Sequence, residues 1–304
     1  MARDRRGIAS VFERREGRVG YVLVAPSALL LSAFYLYPLL LTIVYSFTDW
    51  NSSGTGETTF VGLANFATIM QDDDFLRSLG NTGLYVVVVV PVSMAIGLFL
   101  AAMLSTPFRG RAIYRTLVFL PYIAPMVGSA LVFTYLLSPL GGLINSVLAS
   151  WGVPPVAFLS VEPWAFIMVL LFSIWQLVGY TMIIYSAALA NIPGSYHEAA
   201  TLDGAGPVRR FLAISLPLVR PTTGFLAVTG TIGALQVFTQ VYVLTRGGPT
   251  GSSSTALYWI YDQGFNYFNG GIATAGAVVL LIVGVVFATI QLRLQSRRDP
   301  IKLQ

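Results

Sequence analysis

Uncharged polar side chains lie within otherwise apolar stretches of this 304-residue chain, and they are the first candidates for chemistry. Gln176 and Tyr180 are four residues apart, as are Gln236 and Gln240, and Thr239 lies beside the second pair. Residues four apart share one face of a helix, so each pair predicts a polar patch. Amide and hydroxyl groups of this kind suit a neutral hydroxylated solute. They are equally typical of hydrogen bonds between buried helices, and both interpretations stay open at this point.

Composition excludes several other chemistries. The chain has no cysteine, which excludes disulfides, iron–sulfur clusters and thiolate zinc sites. Its single histidine, His197, excludes a cluster of imidazole ligands. The only lysine is Lys302, so the chain contains no Gly-x-x-x-x-Gly-Lys phosphate loop. No nucleophile–base cluster is apparent, and we predict no catalytic residue, no metal site and no cofactor in this chain.

The elements that carry the polar residues are predicted to be membrane-spanning helices. Only 10% of the residues are charged and 55% are hydrophobic, which is too little charge for a water-facing globule. A spanning helix needs roughly 20 mostly apolar residues, and six stretches qualify. They run over about Val19–Phe47, Thr82–Leu104, Thr116–Leu137, Trp164–Leu189, Pro221–Thr245 and Ile272–Leu292. The sequence therefore predicts an all-α, polytopic membrane protein with six transmembrane helices in a lipid bilayer.

The basic residues predict the orientation of these helices, because Lys and Arg concentrate in cytoplasmic segments. Of the 18 basic residues, all but Arg77 and Arg246 fall in alternate segments, including both termini. We therefore predict that both termini are cytoplasmic. The chain divides into an N-terminal segment (1–18), a six-helix domain (19–293) and a C-terminal tail (294–304). This topology also explains the basic surplus, so no nucleic-acid partner is expected.

Ionisable side chains are missing from the middle of every predicted span. Such groups usually mark proton relays, ion pathways or voltage sensors. Their absence argues against a self-sufficient secondary carrier, which is the main alternative from a different functional class. A membrane-embedded enzyme is disfavoured as well, because the one histidine falls in a predicted cytoplasmic segment.

The predicted cytoplasmic segment between the fourth and fifth spans is longer than an ordinary helix–helix connection. Ser195 and Glu198 form a capping-box pattern, which predicts a short helix over Tyr196–Leu202. The Asp203-Gly204 pair ends that helix, and Pro207 begins a second one. Two short helices around a tight turn form an exposed surface of the kind that docks partners.

The same segment resembles a known family motif. Residues 198–205 read Glu-Ala-Ala-Thr-Leu-Asp-Gly-Ala, followed by Phe211, Ile214, Leu216-Pro217 and Pro221. This pattern is similar to the EAA loop of bacterial ABC importer permeases.

Further motifs resemble the carbohydrate branch of these permeases, and the resemblance extends from about Tyr21 to Arg298. It is carried by Phe60-Val61-Gly62-Leu63, Phe119-Leu120-Pro121, Gly141-Gly142-Leu143-Ile144-Asn145 and Leu244-Thr245-Arg246-Gly247-Gly248-Pro249. The last of these is similar to the maltose-permease-like (MalF-like) member of a permease pair.

The resemblance implies a type I ABC importer permease fold in the bacterial plasma membrane. It implies that the loop over residues 190–220 couples the membrane helices to a separate ATPase. The residues that it assigns to this coupling are Glu198, Ala199, Ala200, Asp203, Gly204 and Gly206.

The resemblance also implies the partners. They are a second permease subunit forming a heterodimer, two ATPase subunits that bind ATP and Mg, and an extracellular solute-binding (lipo)protein. The expected solute is a sugar (mono- or oligosaccharide) or related polyol. A permease for glycerol-3-phosphate or a related phosphodiester is the alternative.

Overall fold

The structure, a computed structural model, describes residues 22–54, 56–106 and 108–296, with side chains described to residue 294. Four helices are long and apolar enough to cross a membrane. They are α1 (Val22–Tyr45), α3 (Asp73–Met103), α7 (Trp164–Ala190) and α13 (Gly270–Ser296). The other helices are α2 (Ala64–Ile69), α4 (Arg111–Ile123), α5 (Met126–Leu136), α6 (Leu143–Ser150), α8 (Gly194–Leu202), α9 (Pro207–Leu218), α10 (Arg220–Leu235), α11 (Thr239–Leu244) and α12 (Ala256–Tyr261).

The all-α prediction is confirmed for the part of the chain that the structure describes. Extended pairing there is limited to one isolated bridge between Thr48 and Phe60. The six predicted crossings correspond to the four long helices and two bent pairs, α4–α5 and α9–α10. The predicted N-terminal segment 1–18 and the tail beyond residue 296 lie outside the described residues.

The third predicted span is broken, not continuous. Helices α4 and α5 meet at 98° across Ala124 and Pro125. Ala124 has φ −67° and ψ 145°, the extended conformation that a following proline favours. The proline therefore ends α4 and lets the chain turn sharply into α5.

The fifth predicted span also differs from its prediction. Helix α10 ends at Leu235, and α11 begins only at Thr239. Within the break, the Val237 carbonyl accepts a hydrogen bond from the Thr255 hydroxyl at 3.0 Å. This bond to a distant residue satisfies a backbone group that the interrupted helix leaves free.

The second span begins nine residues before its predicted start at Thr82. The Asp72 carboxylate accepts hydrogen bonds from the backbone N–H groups of Asp74 and Phe75, at 2.8 and 3.2 Å. Asp73 and Asp74 add negative charge at the N-terminus of α3, where the helix dipole favours it.

Helices α3 and α7 form the centre of the bundle, in a core that includes Val89, Phe172 and Met182. Gly97 lets their backbones approach, since a Cβ there would lie 2.9 Å from the backbone nitrogen of Met182. The Thr181 hydroxyl donates to the Ser93 carbonyl at 2.8 Å across the same contact.

Helix α1 lies at the edge of the bundle. Its residues 22–40 are exposed, and only its last part packs against α13. A long apolar helix with so little cover within the chain must be covered by lipid or by another subunit.

Several connections are tied together at one end of the bundle. Arg77 donates to the Thr250 carbonyl at 2.8 Å, and Asn81 donates to the Ser252 carbonyl at 3.0 Å. Asp49 accepts hydrogen bonds from the backbone N–H and hydroxyl of Thr59, and these hold the pKa of Asp49 below its ordinary value. These hydrogen-bonded connections, which contain Asp49, Thr59, Arg77, Asn81, Thr250 and Ser252, are called the bonded layer below.

Gly97→Ala is expected to destabilise the protein by about 1–3 kcal/mol, because the added methyl group overpacks the α3–α7 contact. The matched control is Gly83→Ala, in the same helix, where a Cβ meets nothing within 4 Å. That change should be neutral or stabilising by up to about 1 kcal/mol, since alanine favours helices. Thermal unfolding of both variants in detergent would measure the difference. Equal effects would contradict the assigned packing.

Candidate functional site

A cavity of about 560 Å³ lies among α3, α4, α7, α10 and α11. Three of the five polar residues predicted from the sequence line it, namely Gln176, Tyr180 and Gln240. The other polar groups in its wall are Tyr85, Tyr122, Ser173 and Thr229. Carboxylates, histidine and basic side chains are absent from this wall, which consists entirely of described residues.

The two cavity amides are buried but unbonded. Gln176 is 7% exposed and Gln240 is 8% exposed. Neither side chain forms a hydrogen bond with another described residue. Among the described residues, neither amide therefore forms a hydrogen bond between helices. The donors and acceptors of both amides are available to a molecule in the cavity.

Tyr180 is positioned by stacking. Its ring lies on that of Tyr122, with centroids 5.0 Å apart and planes at 23°. Gly179, beside it, admits the backbone of α4, because a Cβ at this position would lie 2.8 Å from the Cα of Phe119. Helix α4 therefore passes directly over α7 and brings Tyr122 into the cavity.

Gln236 and Thr239 lie elsewhere. The prediction that Gln236 and Gln240 share a helix face is wrong, because the break between α10 and α11 separates them. Gln236 is exposed and faces a different cavity of about 500 Å³, lined by α1, α10, α12 and α13. Thr239 is half-buried as the first residue of α11 and lines neither cavity.

Sequence reasoning missed several residues of the cavity wall. Ser173 precedes Gln176 by three positions and Tyr180 by seven, so helical spacing alone could have placed it on the same face. Thr229 precedes Gln236 by seven positions and Gln240 by eleven, so in the continuous helix that was predicted the same spacing could have placed it on their face. Gly230 and Gly233 give the cavity its width on the α10 side.

After the C-terminal end of α7 the chain forms the predicted pair of short helices, α8 and α9. The predicted turn at Asp203-Gly204 is confirmed. Gly204 has φ +75°, the left-handed conformation that glycine adopts without strain. The backbone N–H of Ala205 donates to the Ala200 carbonyl at 2.9 Å, which closes the end of α8.

The predicted start of α8 is wrong. The helix begins at Gly194 after Pro193, and no side chain caps it. Ser195 is therefore already inside the helix and does not act as a cap. The Tyr196 backbone N–H instead donates to the Pro193 carbonyl at 3.2 Å.

The turn between α8 and α9 presents an exposed surface. The residues predicted for coupling lie on it, exposed except for half-buried Ala200: Glu198, Ala199, Ala200, Asp203, Gly204 and Gly206. Leu202 is 90% exposed and Val208 is 72% exposed beside them. Apolar side chains next to carboxylates at an exposed turn indicate a docking surface.

A hydrogen-bonded tie fixes the angle between the two short helices. Arg210 on α9 donates to the Thr201 hydroxyl on α8 at 2.8 Å. The same hydroxyl donates to the carbonyl of half-buried His197 at 2.7 Å. The Arg210–Thr201 bond thereby links α8 to α9 across the turn.

Comparison with known proteins identifies this arrangement. Residues 93–300 match the family model described as "Binding-protein-dependent transport system inner membrane component". The lactose transport system permease protein LacF of Rhizobium radiobacter is 36% identical, over 88% of this chain and 91% of LacF. The sn-glycerol-3-phosphate transport system permease protein UgpA of Yersinia pestis is 35% identical, over 91% of this chain and 94% of UgpA.

Solved structures agree on the fold. A chain of a bacterial alginate ABC transporter, in complex with an alginate pentasaccharide-bound periplasmic protein, superposes with a TM-score of 0.84. It is 24% identical, and the match covers 94% of this chain and 96% of that one. These relatives are transporter subunits and not enzymes. The chain therefore belongs to the family of binding-protein-dependent inner membrane components, the permease subunits of ABC importers.

Proposed function

We propose that this permease carries a sugar, as a mono- or oligosaccharide, or a related polyol. The observation that carries the proposal is the cavity wall around Gln176, Tyr180 and Gln240, which offers amides, hydroxyls and aromatic rings but no charged group. Such a wall can replace the water around sugar hydroxyls and gives no compensation for a buried ionic charge. The name of LacF supports a carbohydrate solute.

The cavity forms half of a pathway that a second permease subunit completes as a heterodimer. Two ATPase subunits bind ATP and Mg and supply the energy, and an extracellular solute-binding (lipo)protein delivers the solute. Two observations support this assembly. Helix α1 has little cover within the chain, and the alginate transporter was solved with a periplasmic protein.

The protein lies in the bacterial plasma membrane with both termini in the cytoplasm. The unequal distribution of basic residues supports this orientation. The bonded layer supports the alternation of segments that this orientation requires, because the connections predicted to be outside meet at one end of the bundle. Arg77 reaches Thr250, Thr250 reaches Glu162, and the Gly271 backbone N–H donates to the Trp50 carbonyl.

Coupling follows from chain connectivity. Helix α8 begins four residues after α7 ends, and α7 carries Gln176 and Tyr180. Helix α9 leads, through a 61° bend, into α10, which lines the cavity with Thr229. Closure of an ATPase dimer against the turn would therefore move two walls of the cavity together.

Each coupling residue has a distinct physical role in this docking. The carboxylates of Glu198 and Asp203 offer charge to a basic partner surface. Ala199 and Ala200 are small enough for close approach. Gly204 holds the left-handed turn, and Gly206 stands just before α9.

A permease for glycerol-3-phosphate is the second candidate, because UgpA is 35% identical to this chain. The uncharged cavity wall disfavours it, since nothing there pairs with a phosphate. Solute uptake by the assembled complex, measured with glycerol-3-phosphate as competitor, separates the two candidates. Glycerol-3-phosphate will not inhibit uptake by a sugar permease.

Glu198→Lys is expected to abolish solute-stimulated ATPase activity of the assembled complex, while the protein still reaches the membrane. The charge reversal sets a cation against the proposed basic partner surface. Glu57→Lys makes the same charge change at an exposed residue outside the loop and should leave stimulation intact. Normal stimulation in the Glu198 variant would sink the coupling assignment.

Gln176→Leu is expected to raise the KM for solute uptake roughly 3- to 10-fold, the loss of one neutral hydrogen bond of about 0.5–1.5 kcal/mol. Gln236→Leu is the matched control, since its amide faces another cavity. Uptake of radiolabelled solute into proteoliposomes would measure both. If Gln236→Leu has the larger effect, the pathway does not run through this cavity.

A further inference from the structure

Two sequence motifs that the proposed function does not use, at residues 141–145 and 244–249, lead to a second polar pocket. The pocket, which we call the outer pocket, has a volume of about 310 Å³. Its walls are the end of α5, the segment 157–160 and the end of α11 with the two residues that follow it. The polar residues that line it are Thr134, Ser138, Ser160, Thr245 and Arg246.

The first motif fixes two walls of the outer pocket. Asn145 is 3% exposed, and its amide nitrogen donates to the carbonyls of Ser138 and Val156, both at 3.0 Å. Its amide oxygen accepts a hydrogen bond from the Val156 backbone N–H at 2.8 Å. Gly142 allows this close packing, since a Cβ there would overlap the Ser138 carbonyl. The end of α5 is thereby bonded to the segment that leads into residues 157–160.

The second motif fixes the third wall. The Ser253 hydroxyl donates to the Thr245 hydroxyl at 2.7 Å. Arg246 has φ +51°, a left-handed conformation that persists in a non-glycine residue only where the surroundings hold it. The ring of Tyr258 packs over the next residue so closely that a Cβ at Gly247 would lie 2.6 Å from a ring carbon. The backbone that carries Arg246 is therefore held in one place.

Two hydrogen-bond donors of the outer pocket are free. Arg246 is the one charged group in the wall, which consists entirely of described residues. It is exposed and forms no hydrogen bond or ion pair with another described residue. The hydroxyl of exposed Ser160 has no hydrogen-bond partner there either. Both groups are available to a ligand, and the walls that carry them are already in place.

The charges near the outer pocket offset one another. Glu162, two residues after Ser160, accepts a hydrogen bond from the Thr250 hydroxyl at 3.0 Å. Arg77 donates to the Thr250 carbonyl, and Asp74 precedes it by three positions, on the same side of α3. With Arg246, four residues before Thr250, this region has two charges of each sign. A neutral polyhydroxylated ligand fits such a region better than an anion does.

The outer pocket is separate from the solute cavity. Met126 lines the solute cavity and Thr134 lines the outer pocket, eight residues apart on one face of α5. This spacing corresponds to about 12 Å along the helix axis. Ala130 lies between them and is fully buried where α5 packs against α11. Packed side chains therefore divide the two spaces, and the outer pocket lies on the side of the bonded layer.

We propose that the outer pocket binds one sugar unit of the solute on the extracellular side, before the solute enters the cavity. Arg246 donates to two adjacent hydroxyls, because the planar guanidinium presents paired donors, and Ser160 bonds a third. Leu137, Leu159 and Val243 pack against the C–H face of the ring. The volume is at the lower end for ligand pockets, which suits one ring. This inference rests on the proposed sugar solute and on the proposed orientation.

The test is protection of a single cysteine from a membrane-impermeant maleimide in the assembled complex. Ala157→Cys places a thiol in the pocket wall of a chain that has no other cysteine. The probe is whichever of glucose, lactose, maltose and sorbitol the complex takes up fastest. This sugar should slow labelling at position 157, measured by mass spectrometry of the labelled peptide. Glu57→Cys, at an exposed site outside the pocket, should label equally with and without the sugar.

Further variants in the Ala157→Cys background assign the protection to the outer pocket. Arg246→Gln should raise the sugar concentration for half-protection roughly tenfold, as for the loss of hydrogen bonds from a charged donor. Arg246→Lys should have an intermediate effect, because lysine keeps the charge and loses the paired donors. Ser160→Ala should raise the concentration less and provides an independent variant. Gln176→Leu should leave protection unchanged, since its side chain lies in the solute cavity.

The outcomes separate this inference from the proposed function. If none of the four probes is taken up, the proposed sugar solute fails and this inference fails with it. If one is taken up but does not slow labelling, only the outer pocket is overturned. The same holds if Arg246→Gln and Ser160→Ala both leave half-protection unchanged, or if Gln176→Leu abolishes it. Stronger protection by glycerol 3-phosphate than by the sugar would also overturn the assignment of a neutral ligand.

Discussion

The close contact between α3 and α7 is the constraint on which the rest of the structure depends. Gly97 brings the two backbones together, and the Thr181 hydroxyl bonds across to the Ser93 carbonyl. Such small-residue contacts are how helices associate where lipid removes the hydrophobic driving force. Helix α4 then packs against this α3–α7 pair at Gly179. The pair also holds Tyr85 and Gln176 on two walls of one cavity.

The cavity with uncharged polar walls is connected along the chain to the exposed turn between α8 and α9. Two helices of its wall, α7 and α10, lead through short connections into α8 and α9, so the cavity and the exposed turn are linked along the chain. The Arg210–Thr201 tie keeps the two short helices from hinging independently. In the proposed coupling, a displacement of the turn would therefore reach α7 and α10 together.

Sequence patterns predicted much of this architecture. Hydropathy located the helices, because a lipid environment demands long apolar runs with all backbone groups bonded. The left-handed turn at Gly204 followed from residue type alone. Both features are local, and local rules sufficed.

The features that sequence missed depend on distant contacts. The break after Leu235 is stabilised by the hydrogen bond from Thr255. Because of this break, Gln236 lines a different cavity from the one that was predicted for it. The 98° bend at Pro125 is sharper than a proline alone requires. The third span was predicted to start at Thr116, so Arg111 and Arg115 were placed in a loop although they belong to α4.

The turn between α8 and α9 contributes no side chain to the solute cavity, and the cavity wall contributes none to the turn. The two surfaces are therefore free to diverge separately during evolution. Under the proposed function, mutations that change the preferred solute need not disturb docking of an ATPase at the turn. Gene duplication followed by mutation of the cavity wall alone would be enough to extend the range of solutes that a cell takes up.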